Sequence, residues 1–493
     1  MISEHTRAFL KDLGVFLQLP GLMCLPTFVV IAVFEEWYAL KPFILLAVIS
    51  FAVGQFLYRL FYNNRRTHPG SAYGLVSFIW FLLPLLGTIS FYGVAVLIPE
   101  PNEQELVFSD IHSAFFESMS GFTGTGLTML DDSSMIPHCL QWWRSLCEWI
   151  GGLGIIFLAV ILLDTAHENE RLYQSEGMGW TRKGHNTKSK IIKIWWIYIG
   201  YTALSVASFY LAGMPIWEAL NHGLTGISTG GFSVTADSFI SYNTTIKWVA
   251  VIIMLLGALS FKIHYLALIQ KNFRSLFRQT QLQYFLALWI FFLLIGAISA
   301  YPSTDTVDII FQMASALATC GFNSVELTDY SHMFLFPIMM AMFIGGNESS
   351  TTGGLKTKRL AWIIKTLQAH VRQSTCRDEE KFDIKIRFNG KAVDNKSAYL
   401  QVRMATVLLF LWISALTIGT FTLLHVLPEE YGFFEIFFDV NSALNNVGLS
   451  SGVAHHRLPA EAKWVLSIIM WMGRLEIIGV IIMFSYFLKK TSV

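Results

Sequence analysis

Apolar positions run in long unbroken stretches along this chain, and polar positions gather in the short breaks between them. A helix crossing a bilayer needs about 20 mostly apolar residues. Stretches of that kind lie at 15–34, 40–61, 73–98, 140–163, 194–212, 248–269 and 284–300. Another runs over 333–344 with a continuation to 364, and the last two are 400–424 and 464–488. The pattern predicts about ten spans. Between paired outer ends lie shorter amphipathic pieces at 107–120, 215–224, 307–317 and 433–444. Each is too short to cross, so each predicts a re-entrant helix.

A glycine-bearing pattern follows every short piece. The copies read Ser120-Gly121-Phe122-Thr123-Gly124-Thr125-Gly126-Leu127, Thr225-Gly226-Ile227-Ser228-Thr229-Gly230-Gly231-Phe232, Ser315-Ala316-Leu317-Ala318-Thr319-Cys320-Gly321-Phe322 and Ser442-Ala443-Leu444-Asn445-Asn446-Val447-Gly448-Leu449. One register stacks Gly126, Gly231, Gly321 and Gly448, each followed by Leu or Phe. The unit is therefore span, short helix, loop, span. Non-helical backbone is tolerated at membrane depth where it lines water or is buried in protein. The expected architecture is an all-α polytopic membrane protein. Four span–pore-helix–filter-loop–span repeats surround one pore, and an extra N-terminal span pair stands outside them. The boundaries follow as 1–66 for that pair, then 67–170, 171–272, 273–395 and 396–493 for the repeats.

Composition agrees. The chain has 493 residues, 54% hydrophobic and only 14% charged, against about 25% charged in a soluble domain. A net charge of +1 gives no case for nucleic-acid binding. Five scattered cysteines form no C-x-x-C pair and no zinc spacing. The N-terminal apolar segment lacks a convincing cleavage site and reads as an uncleaved span. Basic residues follow alternate spans: Arg59, Arg65 and Arg66; Lys271, Arg274 and Arg278; Lys356, Lys358 and Arg359; Lys489 and Lys490. Positive-inside bias puts these loops and both termini in the cytoplasm, with every glycine loop on the other side. The cytoplasmic connections 167–189 and 368–396 are polar and too short for a catalytic domain.

Backbone carbonyls can replace the hydration shell of an alkali cation. Presenting them strains the backbone, which glycine relieves. The candidate ion-binding positions are Thr123, Gly124, Thr125 and Gly126; Ser228, Thr229, Gly230 and Gly231; Ala318, Thr319, Cys320 and Gly321; and Asn445, Asn446, Val447 and Gly448. Each short helix would end at the filter with its negative dipole end toward cations. Nine positions before the glycines stand Glu117, His222, Gln312 and Asp439, a ring that is polar but only partly acidic.

The stretch from Phe343 to Lys356 is rich in glycine, serine and threonine and breaks the eighth span. One reading is a cytoplasmic loop that ends the span. The other is a movable gate under the filter, using Gly345, Gly346, Gly353 and Gly354. Glu348 would either concentrate cations there or face the cytoplasm. Arg474 lies within an apolar span, where a charge costs about 2.5–3.5 kcal/mol. It reads either as a structural ion pair with Glu148 or Glu476, or as an electrostatic barrier in the ion path.

These residues resemble the TrkH/TrkG branch of bacterial potassium-uptake proteins, related to KtrB and to plant HKT transporters. Trp149-Ile150-Gly151-Gly152-Leu153-Gly154-Ile155, the Gly345–Lys356 loop and Gly473-Arg474-Leu475-Glu476-Ile477 carry the resemblance beyond the filters. It implies a potassium channel-like pore in the bacterial inner membrane, with K+ as the transported ion and no cofactor on this chain. Gly126 in place of serine argues for potassium over sodium. The fourth copy is mixed: its Asn pair is similar to TrkH, its Gly-Leu-Ser-Ser-Gly tail to KtrB. The implied assembly is a homodimer in membrane lipid on a cytoplasmic TrkA-like regulatory subunit that binds NAD(H) or ATP. The basic clusters at 271–278 and 356–359 are candidate docking faces.

Two other classes are open to the sequence. Gly448-Leu449-Ser450-Ser451-Gly452 matches a hydrolase elbow in form, but no strand precedes it. A proton- or sodium-coupled transporter would show inverted halves and broken helices.

Overall fold

The structure, a computed structural model, describes residues 4–62, 69–154, 187–300, 304–375 and 386–491. The expected connection at 167–189, the inner end of the span 140–163, Arg65, Arg66 and Ile155 fall wholly or mostly outside the described residues. Among the described residues, six helices are long and apolar enough to cross a membrane, and eight if each of two bent pairs counts as one span. Their outward faces carry large apolar side chains such as Leu211, Ile298, Phe410 and Phe421, each more than 60% exposed. Such exposure suits contact with lipid rather than water.

The four short helices run over Ile111–Thr123, Ile216–Ile227, Thr306–Leu317 and Phe433–Leu444. The fourth has the limits expected from sequence, and the others differ by a few residues. Each begins where the chain supplies a start signal. Asp110 accepts from the backbone N–H groups of His112 and Ser113, Pro215 precedes the second, and Glu435 occupies the first turn of the fourth.

Polar contacts join the outer ends of successive repeats in a cycle. Trp217 Nε1 donates to Gln141 at 2.7 Å between repeats one and two. Lys247 meets Asp308 at 2.8 Å between two and three. His332 meets Glu435 at 3.0 Å between three and four, and Lys463 meets Asp110 at 2.8 Å between four and one. The N-terminal pair, Glu4–Phe16 with Leu19–Val33 and then Leu40–Leu60, packs outside this cycle. Glu36 fixes it there by accepting from the N–H groups of His138 and Cys139, at the start of the helix His138–Leu153.

Two expectations need correction. The stretches 248–269 and 464–488 are not continuous spans. The first breaks between Thr244–Ala258 and Phe261–Ile269, the second between Ala460–Arg474 and Ile478–Ser485, each bent by 98°. The cause is tertiary. Gly257 and Gly473 pass so close to the carbonyls of Ile227 and Leu444 that no Cβ would fit. Beyond this crossing Ser260 caps a new helix, while Glu476 and Ile477 turn through positive φ. The helical architecture is as expected, with one small antiparallel hairpin of Arg387–Phe388 and Lys391–Ala392, whose Phe388 stacks on Trp362.

Candidate functional site: a ring of four glycine loops above an intramembrane loop

Each short helix ends in the same hydrogen-bonded turn. The N–H groups of Gly124, Thr229, Thr319 and Asn446 donate to the carbonyls of Gly121, Gly226, Ala316 and Ala443. The next N–H groups, of Thr125, Gly230, Cys320 and Val447, reach back to Ser120, Thr225, Ser315 and Ser442 at 2.8–3.0 Å. This is the Schellman arrangement, and it requires a left-handed residue at the first of each pair. Gly124, Thr229, Thr319 and Asn446 have φ of 65°, 52°, 48° and 51°.

The stacked glycines then meet one another. Gly126, Gly231, Gly321 and Gly448 have φ of 83°, 93°, 89° and 99°. A Cβ added to each would collide with the carbonyl oxygen of Gly230, Cys320, Val447 and Thr125 respectively. It would also lie 3.4, 3.1, 3.0 and 3.1 Å from the Cα of the next glycine in the cycle. Repeat one touches two, two touches three, three touches four, and four touches one, so the loops close a ring of backbone. Glycine is required here twice, for φ and for space. The residues after the glycines, Leu127, Phe232, Phe322 and Leu449, are buried behind the loops. Phe232 and Phe322 wedge against Gly121 and Gly226 of the preceding repeat, which is why the short helices carry small residues there.

The polar positions nine before the glycines are fully buried; three of them, Glu117, His222 and Asp439, are braces, while the Gln312 amide makes no hydrogen bond among the described residues. Glu117 accepts from Thr128 Oγ1 and the N–H of Met129 at 2.8 and 2.9 Å. Asp439 accepts from Ser450 Oγ and the N–H of Ser451, both at 2.7 Å. His222 Nε2 lies 2.9 Å from Ser233 Oγ. Each ties a short helix to the strand of loop descending beside it. Two further braces, Arg144 and Glu148, were not singled out in these roles from sequence. Arg144 Nε donates to Glu117 at 2.7 Å, its Nη1 donates to the carbonyl of Ser233, and its guanidinium lies 4.0 Å from the Phe232 ring. Glu148 accepts from the N–H of Phe232 at 3.1–3.2 Å. The signal was available, since ionisable groups within a span mark structured interiors.

An outer cavity of about 250 Å³ opens onto the ring and is lined by Gly126, Gly231, Gly321 and Gly448 together with Asp131 and Glu326. On the other side lies the loop between His332–Ile344 and Thr357–Thr375. Its neck is zipped, the N–H groups of Leu355, Lys356 and Thr357 donating to Phe343, Ile344 and Gly346 at 2.9–3.0 Å. Gly345 and Gly354 turn at φ of 68° and 78°, and Gly346 packs against Thr352 and the Ala258 carbonyl. Its head sits against three repeats. Gly353 lies against the Asn445 carbonyl and donates to Thr319 Oγ1 at 2.8 Å. Thr351 Oγ1 lies 3.0 Å from Thr229 Oγ1. The loop is therefore packed against the ring through its head and zipped at its neck.

Arg474 donates to the Gly151 carbonyl of the first repeat and stacks 4.8 Å from the Trp80 ring. Glu148 accepts from the Phe232 N–H, and Glu476 pairs with Arg359. Glu348 pairs with Lys358.

The chain matches the family model TrkH, described as cation transport protein, over residues 96–300 and 295–492. It belongs to that family, whose members are transport proteins and not enzymes. It is 34% identical over 385 residues to an uncharacterised cation transporter of Methanocaldococcus jannaschii, covering 77% of each chain. It is 29% identical over 514 residues, with both chains fully covered, to the Trk system potassium uptake protein TrkG of Escherichia coli. The crystal structure of the potassium transporter TrkH from Vibrio parahaemolyticus superposes with a TM-score of 0.77 at 23% identity, over 97% of this chain and 98% of that one. That likeness establishes the fold.

Proposed function

We propose that the chain takes up potassium across the bacterial inner membrane through the four-glycine ring, with both termini cytoplasmic. Closure of the ring carries this reading: four matching turns bring their glycine loops into contact in one cycle, and a ring of backbone carbonyls is what alkali-cation coordination uses. The Trk relatives name potassium as the ion. The sixteen positions at 123–126, 228–231, 318–321 and 445–448 form the filter. The loop Gly345–Lys356 is the gate, and Arg474 is an electrostatic barrier beside it. The working assembly is a homodimer on a TrkA-like regulatory subunit holding NAD(H) or ATP, with the basic clusters at 271–278 and 356–359 as docking faces.

The test is potassium-limited growth of an uptake-deficient strain carrying the chain with a cognate regulator, then Gly126→Ser and Gly321→Ser. Rescue by the wild type and its loss or a shift toward sodium in the variants is expected. No rescue by the wild type sinks the potassium reading.

The two spans bent by 98° support a second reading, since broken helices also mark gradient-coupled transporters. Against it, all four units have the same orientation. Flux that requires a proton or sodium gradient favours coupling, and single-channel steps in a planar bilayer favour the pore.

A further inference from the structure

The left-handed position that ends each short helix is occupied unequally. Repeats one and four place Gly124 and Asn446 there, residue types that enter this region readily. Repeats two and three place Thr229 and Thr319 there. A β-branched residue at positive φ is a genuine outlier, and such strain persists where the surroundings impose it. Both threonines are buried. Both hydroxyls touch the intramembrane loop, and they do so from repeats two and three alone. Thr319 Oγ1 accepts from the N–H of Gly353 at 2.8 Å. Thr229 Oγ1 lies 3.0 Å from Thr351 Oγ1 and 2.7 Å from the Ser228 carbonyl, and Thr351 Oγ1 lies 3.0 Å from the Gly257 carbonyl. Asn446 points its amide elsewhere, to Thr125 Oγ1 and the Met470 carbonyl, both at 2.9 Å.

We propose that Thr229 and Thr319 are positioning residues that latch the intramembrane loop to the back of the filter ring, so that opening the loop and settling the filter are one coupled event. This rests on the reading of that loop as a gate. The hydroxyl of Thr319 is the acceptor for a partly buried loop N–H, and such an N–H left without an acceptor is costly. Withdrawal of the loop breaks both latches together. It leaves two hydroxyls facing the inner mouth of the ion path, where they can accept water or a cation.

The test uses the full chain in proteoliposomes without regulator, measuring potassium efflux through Thr319→Val, Thr229→Val, Thr319→Ser and a chain lacking residues 347–354. Valine keeps the shape and the β-branch but removes the hydroxyl, while serine keeps the hydroxyl. Thr319→Val is expected to raise regulator-free flux by about tenfold, the scale of one lost buried hydrogen bond. Thr229→Val should raise it less, because Thr351 keeps the Gly257 carbonyl as its own partner. Thr319→Ser keeps the acceptor hydroxyl and should leave thiol labelling of Ser350→Cys as slow as it is without the substitution. Faster thiol labelling of Ser350→Cys in the Thr319→Val background reports loop release independently of flux. If deletion of 347–354 raises flux while Thr319→Val leaves both flux and labelling unchanged, the latch is wrong and the gate stands. Failure of the deletion itself to raise flux removes the gate and the latch with it. A leak that no longer distinguishes potassium from sodium means a collapsed filter and also overturns the latch.

Discussion

The half that holds the glycine ring, the outer one on the orientation proposed above, and the half that holds the intramembrane loop obey different rules. On the outer side four repeats adopt one geometry: the same terminal turn, the same pair of positive-φ residues and a polar contact at every seam, with a polar brace in repeats one, two and four. On the inner side the second helices diverge. Repeats two and four bend by 98°, repeat three inserts a zipped loop, and repeat four contributes Arg474. A ring of carbonyls can match a spherical ion only if its members are equivalent. A device that opens and closes needs elements that are not. On the proposed reading, regularity serves coordination and irregularity serves movement.

The sharpest break of the outer rule is a single methyl group. Gly321→Ala places a Cβ against the Val447 carbonyl and the Cα of Gly448, neither of which can yield without moving repeat four. It adds a left-handed penalty of about 1–2 kcal/mol before any clash. Uptake measured by rubidium or potassium flux should fall by more than tenfold with normal membrane abundance, and Gly126→Ala should behave alike. Near-normal flux in either would mean that the ring is not the conducting element.

Second in size is the brace beneath the ring. Removing one partner of a buried ion pair costs about 3–5 kcal/mol, and Arg144 and Glu117 are 1% and 0% exposed. Arg144→Met should strongly lower the melting temperature of the detergent-solubilised protein. Adding Glu117→Gln should recover part of the loss, because no uncompensated carboxylate then remains. A double variant less stable than the single one contradicts the pairing.

Much of this regularity was legible in the chain, and the exceptions have physical causes. The short helices and glycines could be placed because apolar run length and turn chemistry are local properties. Phe433–Leu444 was bounded to the residue for that reason. The bends near Leu259 and Leu475 were not legible. No proline marks them, and their origin is the close approach of Gly257 and Gly473 to another helix's carbonyls. Arg144 and Glu148 were readable as charges in a span, but their loop partners Ser233 and Phe232 lie 89 and 84 residues away. Glu117, His222 and Asp439 formed a visible register, yet only the fold shows them turned toward their own loops as braces.

Inner-half changes should act on rate more than on folding. Arg474→Ala removes a guanidinium from beneath the first repeat and its contact with the Gly151 carbonyl. Flux is expected to rise. Unchanged or lower uptake at normal expression would refute the barrier role and leave Arg474 as a strut between repeats four and one.

The smallest effect is expected at Glu348, and it separates two accounts of the inner mouth. If this carboxylate gathers cations below the filter, neutralising it should lower flux at low potassium and low salt, where attraction is least screened. In the structure it is already paired with Lys358, both side chains being partly exposed at 19% and 26%. The pair is close to neutral as seen by an ion, and an exposed pair contributes less than about 1 kcal/mol to the fold. Glu348→Gln should therefore leave flux within a factor of about five at every ionic strength. Lys358→Gln should be the more informative change, because it releases a negative charge beside the loop without moving it. A flux gain in Lys358→Gln that disappears in the double variant would assign cation attraction to the released carboxylate. Equal behaviour of all three would confine the pair to holding the neck of the loop.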